Sequence, residues 1–243
     1  MNARLKERLA AGEQLTGALL RMPADDLVEM LGVAGLDFVL LDCEHGPADV
    51  VALRRHIALA ELHGMATLVR IGEGETAHAL RALDQGAAGL VFPHVDSAER
   101  AAECVRAAHY PPLGTRGFAT YPRAGRFGTV TAPEHRAAAA STLVVVMIES
   151  PLAVRDVDDI LGVEGVDAFL VGAADLAAAS GPGDPSVAES LATVRSAGTS
   201  AGVVRTDLVN DVDAARASAA AGAGLVVYNL THLLMDVFTS LRS

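Results

Sequence analysis

Lysine is almost missing from this chain. Of 19 basic residues, eighteen are arginine and one, Lys6, is lysine. Lys6 precedes every strand that the sequence predicts, so no lysine is placed to form a Schiff base with a bound carbonyl. Carbonyl chemistry here needs another electrophile. Cysteine is scarce as well: Cys43 and Cys104 stand far apart, which argues against a disulfide framework and against a cysteine-rich zinc site. The chain has no apolar run of about 18 residues, so no transmembrane helix is expected. The N-terminal stretch "MNARLKERLAAGEQLTG" is charged and lacks the apolar centre of a signal peptide, which makes the cytoplasm the expected compartment. Positive charge is deficient, with a net charge of −11, and that disfavours nucleic acid, whose phosphates need clustered cations. No Gly-x-Gly-x-x-Gly follows the first strand, which weakens an open doubly wound sheet.

What the chain does have is apolar material and rhythm. Half of its 243 residues are hydrophobic (51%), enough for a large core without disulfides. A glycine that closes a helix and then an apolar strand recur at "AGLDFVLLD", "QGAAGLVFP", "EGVDAFLVG" and "AGAGLVVYN". Nearly continuous apolar strands suit a parallel sheet buried on both faces. Eight strands are predicted, at 15–21, 37–42, 65–70, 88–92, 142–148, 166–171, 201–205 and 224–228. Helical spacing appears between them, as in 25–34 (Leu27, Met30, Leu31) and 48–62 (Val50, Leu53, Ile57, Ala60). Strand and helix alternating through the whole chain predict one α/β domain, a (β/α)8 TIM barrel over residues 1–243. The interval 93–141 breaks the rhythm. A helix at 97–109, a Pro- and Gly-rich loop and an Ala-rich helix at 132–140 are expected there. An insertion around 111–140 is expected to cover an active site or an oligomer contact, and its loop 111–130 to shape the acceptor pocket.

Barrel active sites lie at the C-terminal strand ends, and the polar residues gather there. Strand one ends in Arg21, strand two in Asp42, Glu44 and His45, strand three in Arg70, strand five in Glu149 and strand six runs to Asp175. Strand seven is expected to end in Arg205. Each also has a structural explanation. Asp42 and Glu44 suit a helix N-terminus, His45 a hydrogen-bonded loop, Asp175 a helix cap, and the arginines ion pairs. Glu149 follows "LVVVMI", and a carboxylate ending a buried strand needs a partner. Glu149 and Asp175 come from neighbouring strands and form the best pair to hold a hard divalent cation. Such a cation would chelate a 2-oxo acid. Arg70 suits stabilisation of the enolate, and His45 suits the base.

The ordered set "GLDFVLLDCEHGPAD", "TLVRIG", "YPPLGTRG", "VMIES" and "GVDAFLVGAADLA" resembles the HpcH/HpaI aldolase family along nearly the whole chain. The resemblance implies a metal-dependent class II aldolase that makes or breaks carbon–carbon bonds to a pyruvate enolate, with a 2-oxo acid and an aldehyde as small-molecule partners. It implies Glu149 and Asp175 as ligands of Mg, Mn or Co, His45 as acid/base, and Arg70 as the pyruvate-binding, enolate-stabilising residue. Backbone amides of Gly172, Ala174 and Asp175 would hold the substrate carboxylate, and Asp42 would stand near the metal's water. Asp84 resembles the family's aspartate that orients the histidine. It ends a helix, on the face opposite the active site, and so would reach His45 only across a subunit interface. That agrees with the family's hexamer with exchanged eighth helices. The chain departs from the family pattern at Ala173, where a proline is usual, at Met147, where many members carry glutamine, and at the end of strand eight. Two other readings stand beside the aldolase: a decarboxylase or other lyase acting on an oxaloacetate-like acid, and a barrel without turnover that serves as a binding partner.

Overall fold

The protein is described here from a computed structural model covering residues 3–47 and 49–242. The first two residues of the N-terminal stretch, and position 48 where the expected 48–62 helix begins, lie outside those described. Helix α1 (Ala3–Ala10) leads into β1 (Leu15–Leu20), α2 (Asp25–Val33), β2 (Phe38–Asp42), α3 (Val50–Leu62), β3 (Ala66–Arg70), α4 (Thr76–Gln85) and β4 (Gly89–Phe92). After α5 (Ala98–Ala108) come a 3-10 turn (Arg123–Gly128), α6 (Ala132–Ala139) and β5 (Leu143–Ile148). The second half adds α7 (Pro151–Arg155), α8 (Val157–Leu161), β6 (Ala168–Val171), α9 (Ala173–Ala179) and α10 (Val187–Ala201). It closes with β7 (Val204–Val209), α11 (Val212–Ala220), β8 (Leu225–Asn229) and α12 (Leu230–Ser240).

The eight strands form a closed, all-parallel barrel in sequence order, with β8 pairing back onto β1. Alternation along each strand sorts the apolar side chains into two cores. Phe38, Leu40, Leu68, Leu143, Val145, Met147, Leu170 and Leu225 fill the interior. Val39, Leu41, Val69, Val144, Val146, Ile148 and Phe169 face the surrounding helices. Both sets are continuous along β2 to β5, whose strand residues are buried on both faces save Ala66, whereas β7 is partly exposed.

Leu5 and Leu9 of α1 pack onto the interior core, so α1 lies across the N-terminal end of the barrel. Arg8 pairs there with Asp37 at 2.8 Å, and the single lysine, Lys6, pairs with Asp167 at 2.7 Å. Those two aspartates also accept backbone N–H groups from Thr16 and Val144. The lysine is therefore committed to the floor of the barrel, away from the strand ends that carry chemistry.

Two expectations need correction. Strand seven begins three residues later than expected, because α10 continues to Ala201 and closes at Gly202, whose φ is 69°. Arg205 is consequently the second residue of β7, paired near the floor with Asp207 at 3.2 Å, and it does not end the strand. In α2, Val28 is buried while Met30 is 63% exposed. Leu27 and Leu31 pack against the core as expected.

Candidate active site

The parallel register of β2 and β3 sets Asp42 directly beside Arg70 at the C-terminal rim. Arg70 donates Nε to Asp42 Oδ1 at 2.9 Å and Nη2 to Oδ2 at 2.5 Å. That two-point geometry fixes the guanidinium plane as well as its position. Arg21, from the end of β1, donates to the same carboxylate at 3.0 Å and reaches Asn229 Oδ1, at the end of β8, at 2.8 Å. The backbone N–H groups of Glu44 and His45 also converge on Asp42 Oδ1. Burial alone would raise the Asp42 carboxyl, but the hydrogen bonds and charge of Arg70 hold it below the usual range. Asp42 was expected beside a metal's water; the structure gives its two oxygens to Arg70, Arg21 and the turn that carries His45. Arg70 Nη1 is left pointing past Met147, 3.1 Å from Glu44 Oε2. The neighbouring Cys43 is unsuited to be a nucleophile, because burial pushes its thiol up to about 11.

Glu149 follows β5 and is 3% exposed. Its Oε1 accepts the backbone N–H of His94 at 2.7 Å, while the His94 ring stands 3.4 Å away through Nδ1. Its Oε2 lies against Gly172, where any Cβ would overlap it. The glycine that follows β6 is thus required by the carboxylate opposite. Burial pushes the Glu149 carboxyl up, and the charges of Asp175 and Glu44 add to that push against the His94 hydrogen bond. Asp175 stands exposed in the first turn of α9, as does Ala174, while Gly172 is buried.

These groups leave a charge imbalance. Among the described residues, the arginines facing Asp42, Glu44, Glu149 and Asp175 are Arg21 and Arg70; both converge on Asp42, Arg70 also pairs with Glu44, and neither pairs with Glu149 or Asp175. Glu149 keeps a buried carboxylate with a neutral amide as its close donor. A dication beside Glu149 and Asp175 would remove the imbalance, and oxygen donors of this kind suit a hard ion. Among the described residues no three His, Cys, Asp or Glu side chains already make a ligand shell, so the protein would supply two carboxylates and leave other positions to water or substrate.

His45 lies on the turn after β2, 61% exposed on its side chain, with Nε2 3.9 Å from Glu44 Oε2. The structure does not bring Asp84 to it within one chain. Asp84 is near the C-terminus of α4 and pairs with Arg116 at 2.9 Å. The inserted segment folds to that same floor: Arg123 donates to Gln85 O and pairs with Glu61, and Tyr110 meets His135. Of the two roles expected for it, active-site cover or oligomer contact, it does not provide the first within its own chain. One residue was missed. His94, two residues beyond β4, lies between Glu149 and Glu44 with φ at 51°. The rule applied to the other strand ends reaches it, since the chain there reads Phe92-Pro93-His94.

A parallel eight-stranded barrel that carries a buried acid, a second acid beside it and a clamped arginine at its C-terminal rim is built for polar carbon–carbon bond chemistry, as an aldolase-type lyase. The profile of the HpcH/HpaI aldolase/citrate lyase family matches residues 19–230, and the chain belongs to that family. It is 33% identical over 238 residues to a hydroxypyruvate/pyruvate aldolase of Sagittula stellata, covering 93% of this chain and 91% of that one. It is 38% identical over 179 residues to a 5-keto-4-deoxy-D-glucarate aldolase of Salmonella arizonae, covering 73% and 69%. A solved HpcH/HpaI aldolase/citrate lyase family protein from Burkholderia cenocepacia superposes with a TM-score of 0.90 at 33% identity, over 99% of this chain and all of that one. Among the described residues no helix is long and apolar enough to cross a membrane.

Proposed function

We propose that this enzyme cleaves and forms 4-hydroxy-2-oxo acids, with pyruvate or hydroxypyruvate as the 2-oxo acid and an aldehyde as the second partner. The observation that carries the reading is the pairing of a buried, cation-poor Glu149 with an arginine whose orientation is fixed by Asp42. The names of the relatives at 33% and 38% identity supply the substrate class. Glu149 and Asp175 would hold a divalent ion, Mg, Mn or Co, which when bound polarises the 2-oxo group as a Lewis acid.

The chain's own residues account for the rest. In the cleavage direction His45 takes the proton of the C4 hydroxyl. The C3–C4 bond breaks, the aldehyde forms, and the electron pair passes into the enolate of the 2-oxo acid. Arg70 Nη1, which rests 3.1 Å from Glu44 Oε2, would be the donor to that enolate oxygen, on a guanidinium whose plane Asp42 fixes before substrate arrives. The proton then returns to C3. The amides of Ala174 and Asp175 would hold the substrate carboxylate, beside Gly172, whose own N–H is donated to Ile148 O.

Two features support assembly with other copies. No described residue of α12 is buried, and Met235, Val237, Phe238 and Leu241 are each more than half exposed. An apolar helix of this kind calls for a partner surface, as exchanged eighth helices in a hexamer would give. The same assembly would carry Asp84 and the inserted segment, which lie at the floor of their own barrel, to the mouth of a neighbour. There Asp84 would orient a second copy's His45.

Exchange of the C3 protons of pyruvate in D2O, followed by NMR with and without EDTA, tests the reading. Metal-dependent exchange together with aldol product from an added aldehyde supports it. Carbon dioxide from oxaloacetate without any aldol product would replace it with a decarboxylase. No exchange under Mg, Mn or Co would replace it with a binding protein.

A further inference from the structure

Two polar side chains at the mouth have no task in the function proposed above. Leu15 and Leu19 of β1 and Leu225 and Val227 of β8 belong to the interior core. The same alternation turns Arg21, just past β1, and Asn229, the last residue of β8, toward the inside of the rim. Arg21 donates Nε to Asp42 and Nη1 to Asn229 Oδ1. Arginine has no acceptor atom, so this contact sets the Asn229 amide with its oxygen toward Arg21 and its nitrogen away. Arg21 Nη2 and Asn229 Nδ2 are left without an acceptor among the described residues. Arg21 also has no carboxylate of its own. It shares Asp42 with Arg70, whose Nη1 faces Glu44. The pair is not needed to tie the two strands, because the ladder from Leu15–Leu225 to Leu19–Asn229 already joins β1 to β8.

Position on the rim says which part of a substrate the pair would meet. The strands follow one another round the barrel in sequence order. Glu149 and Asp175 follow β5 and β6, Arg70 ends β3, and His45 follows β2. A 2-oxo group at Glu149 and Arg70 and a C4 hydroxyl at His45 direct the remaining C4 substituent onward, to β1 and β8. We propose that Arg21 and Asn229 bind a carboxylate on that substituent, so that the aldehyde partner of this enzyme carries an acid group. This rests on the aldolase reading of Glu149, Arg70 and His45. Two uncommitted N–H donors, one of them cationic, match a carboxylate better than an alkyl or hydroxyl group.

The test is the Mg-supported condensation of pyruvate with paired aldehydes, 4-oxobutanoate against butanal and 5-oxopentanoate against pentanal. It compares full-length wild type, Arg21→Gln and Asn229→Asp. In the wild type kcat/KM is expected to be at least about tenfold higher for the acid in one or both pairs. Glutamine removes the cation, and aspartate sets a negative charge against the incoming one. Each substitution is expected to lower the preference at least about tenfold. The preference is a ratio within one protein, so a disturbance passed on to Asp42 and Arg70 affects both aldehydes and cancels. If Arg21→Gln does not fold, Asn229→Asp decides alone. Equal kcat/KM for acid and uncharged aldehyde in the wild type, or a preference unaltered in a folded variant, would overturn the proposal and leave Arg21 a support for Asp42. Metal-dependent exchange of the pyruvate C3 protons needs no aldehyde and is measured on the wild type alongside. Its absence would remove the aldolase reading itself, whereas exchange without a preference would remove only the carboxylate subsite.

Discussion

The two ends of the barrel are both rich in charge, and they are charged differently. At the floor, acids and bases come in matched pairs: Lys6 with Asp167, Arg8 with Asp37, Arg116 with Asp84 and Arg123 with Glu61. Two of those aspartates, Asp37 and Asp167, also accept strand backbone N–H groups. At the mouth, four acids meet two arginines among the described residues; Arg21 and Arg70 both converge on Asp42, Arg70 also reaches Glu44, and Glu149 and Asp175 have no arginine partner. Paired charge at one end fastens α1 and the inserted segment to the barrel. Unpaired charge at the other end is unfavourable for the empty protein, and it persists where a positively charged ligand is expected. The distinction is testable because the same kind of substitution should have opposite consequences at the two ends.

The largest effect is expected at Glu149. Glu149→Ala should lower turnover by more than about 10³-fold, because it removes the anchor of the Lewis acid, and calorimetry should show no Mg binding. His45→Ala should lose turnover while binding Mg normally. If both variants lost Mg binding, the division of labour between ligand and base would be wrong. Next in size is Arg70→Lys. Lysine keeps the charge but cannot make the two-point contact with Asp42, so the donor aimed at the enolate is no longer oriented. A fall of about 10²-fold in kcat is expected, with a much smaller change in KM, read from steady-state kinetics with pyruvate and an aldehyde. A change confined to KM would mean that Arg70 binds the ground state and the transition state equally well.

The mouth was more legible in the sequence than its internal wiring. Strand-end rules found Asp42, His45, Arg70, Glu149 and Asp175, since an ionisable residue that terminates an apolar run is conspicuous. They could not show that Asp42 faces Arg70, because that depends on the register between β2 and β3, a relation between segments 28 residues apart. Strand seven slipped for a related reason. "VRTDLV" contains three polar residues, and two of them, Arg205 and Asp207, are accommodated by floor contacts with Ser218 that the sequence does not show. The inserted segment was recognised as an insertion, but its composition does not say against which end of the barrel it folds. That is decided by Arg116 and Arg123 finding acceptors near the C-termini of α4 and α3.

A smaller effect separates the ends through stability. Burial, with Asp175 and Glu44 adding to it, gives the folded-state Glu149 carboxyl a tighter hold on its proton than it has in the unfolded chain. Ionising it therefore favours unfolding. The penalty is nil below the ordinary carboxylate range, about 4.3, and grows as pH rises through the higher folded-state value. In EDTA-treated protein, Glu149→Gln should raise Tm at pH 7 by about 2–4 °C, the shift expected for about 1 kcal/mol in a chain of this size. The gain should vanish towards pH 4, and adding Mg should reverse the order by stabilising the wild type alone. A variant less stable than the wild type at pH 7 without metal would show that the mouth is balanced by groups other than a cation.

The smallest effect should come from the floor. Lys6→Met removes the partner of Asp167, but Asp167 keeps its hydrogen bond from the Val144 amide and the lysine is only partly buried. A partly solvated pair of this kind contributes about 0–1 kcal/mol, so Tm should fall by no more than about 2–4 °C. Metal affinity and kcat should not change, because Lys6 stands at the opposite end of the barrel from Glu149 and Arg70. The result bears on chemistry as well as stability. Lys6 is the one amine in the sequence able to form a side-chain Schiff base. Undiminished turnover in Lys6→Met, together with loss of turnover in EDTA, would assign the electrophile to the metal. Loss of turnover in Lys6→Met with the fold intact would reverse the roles of the two ends.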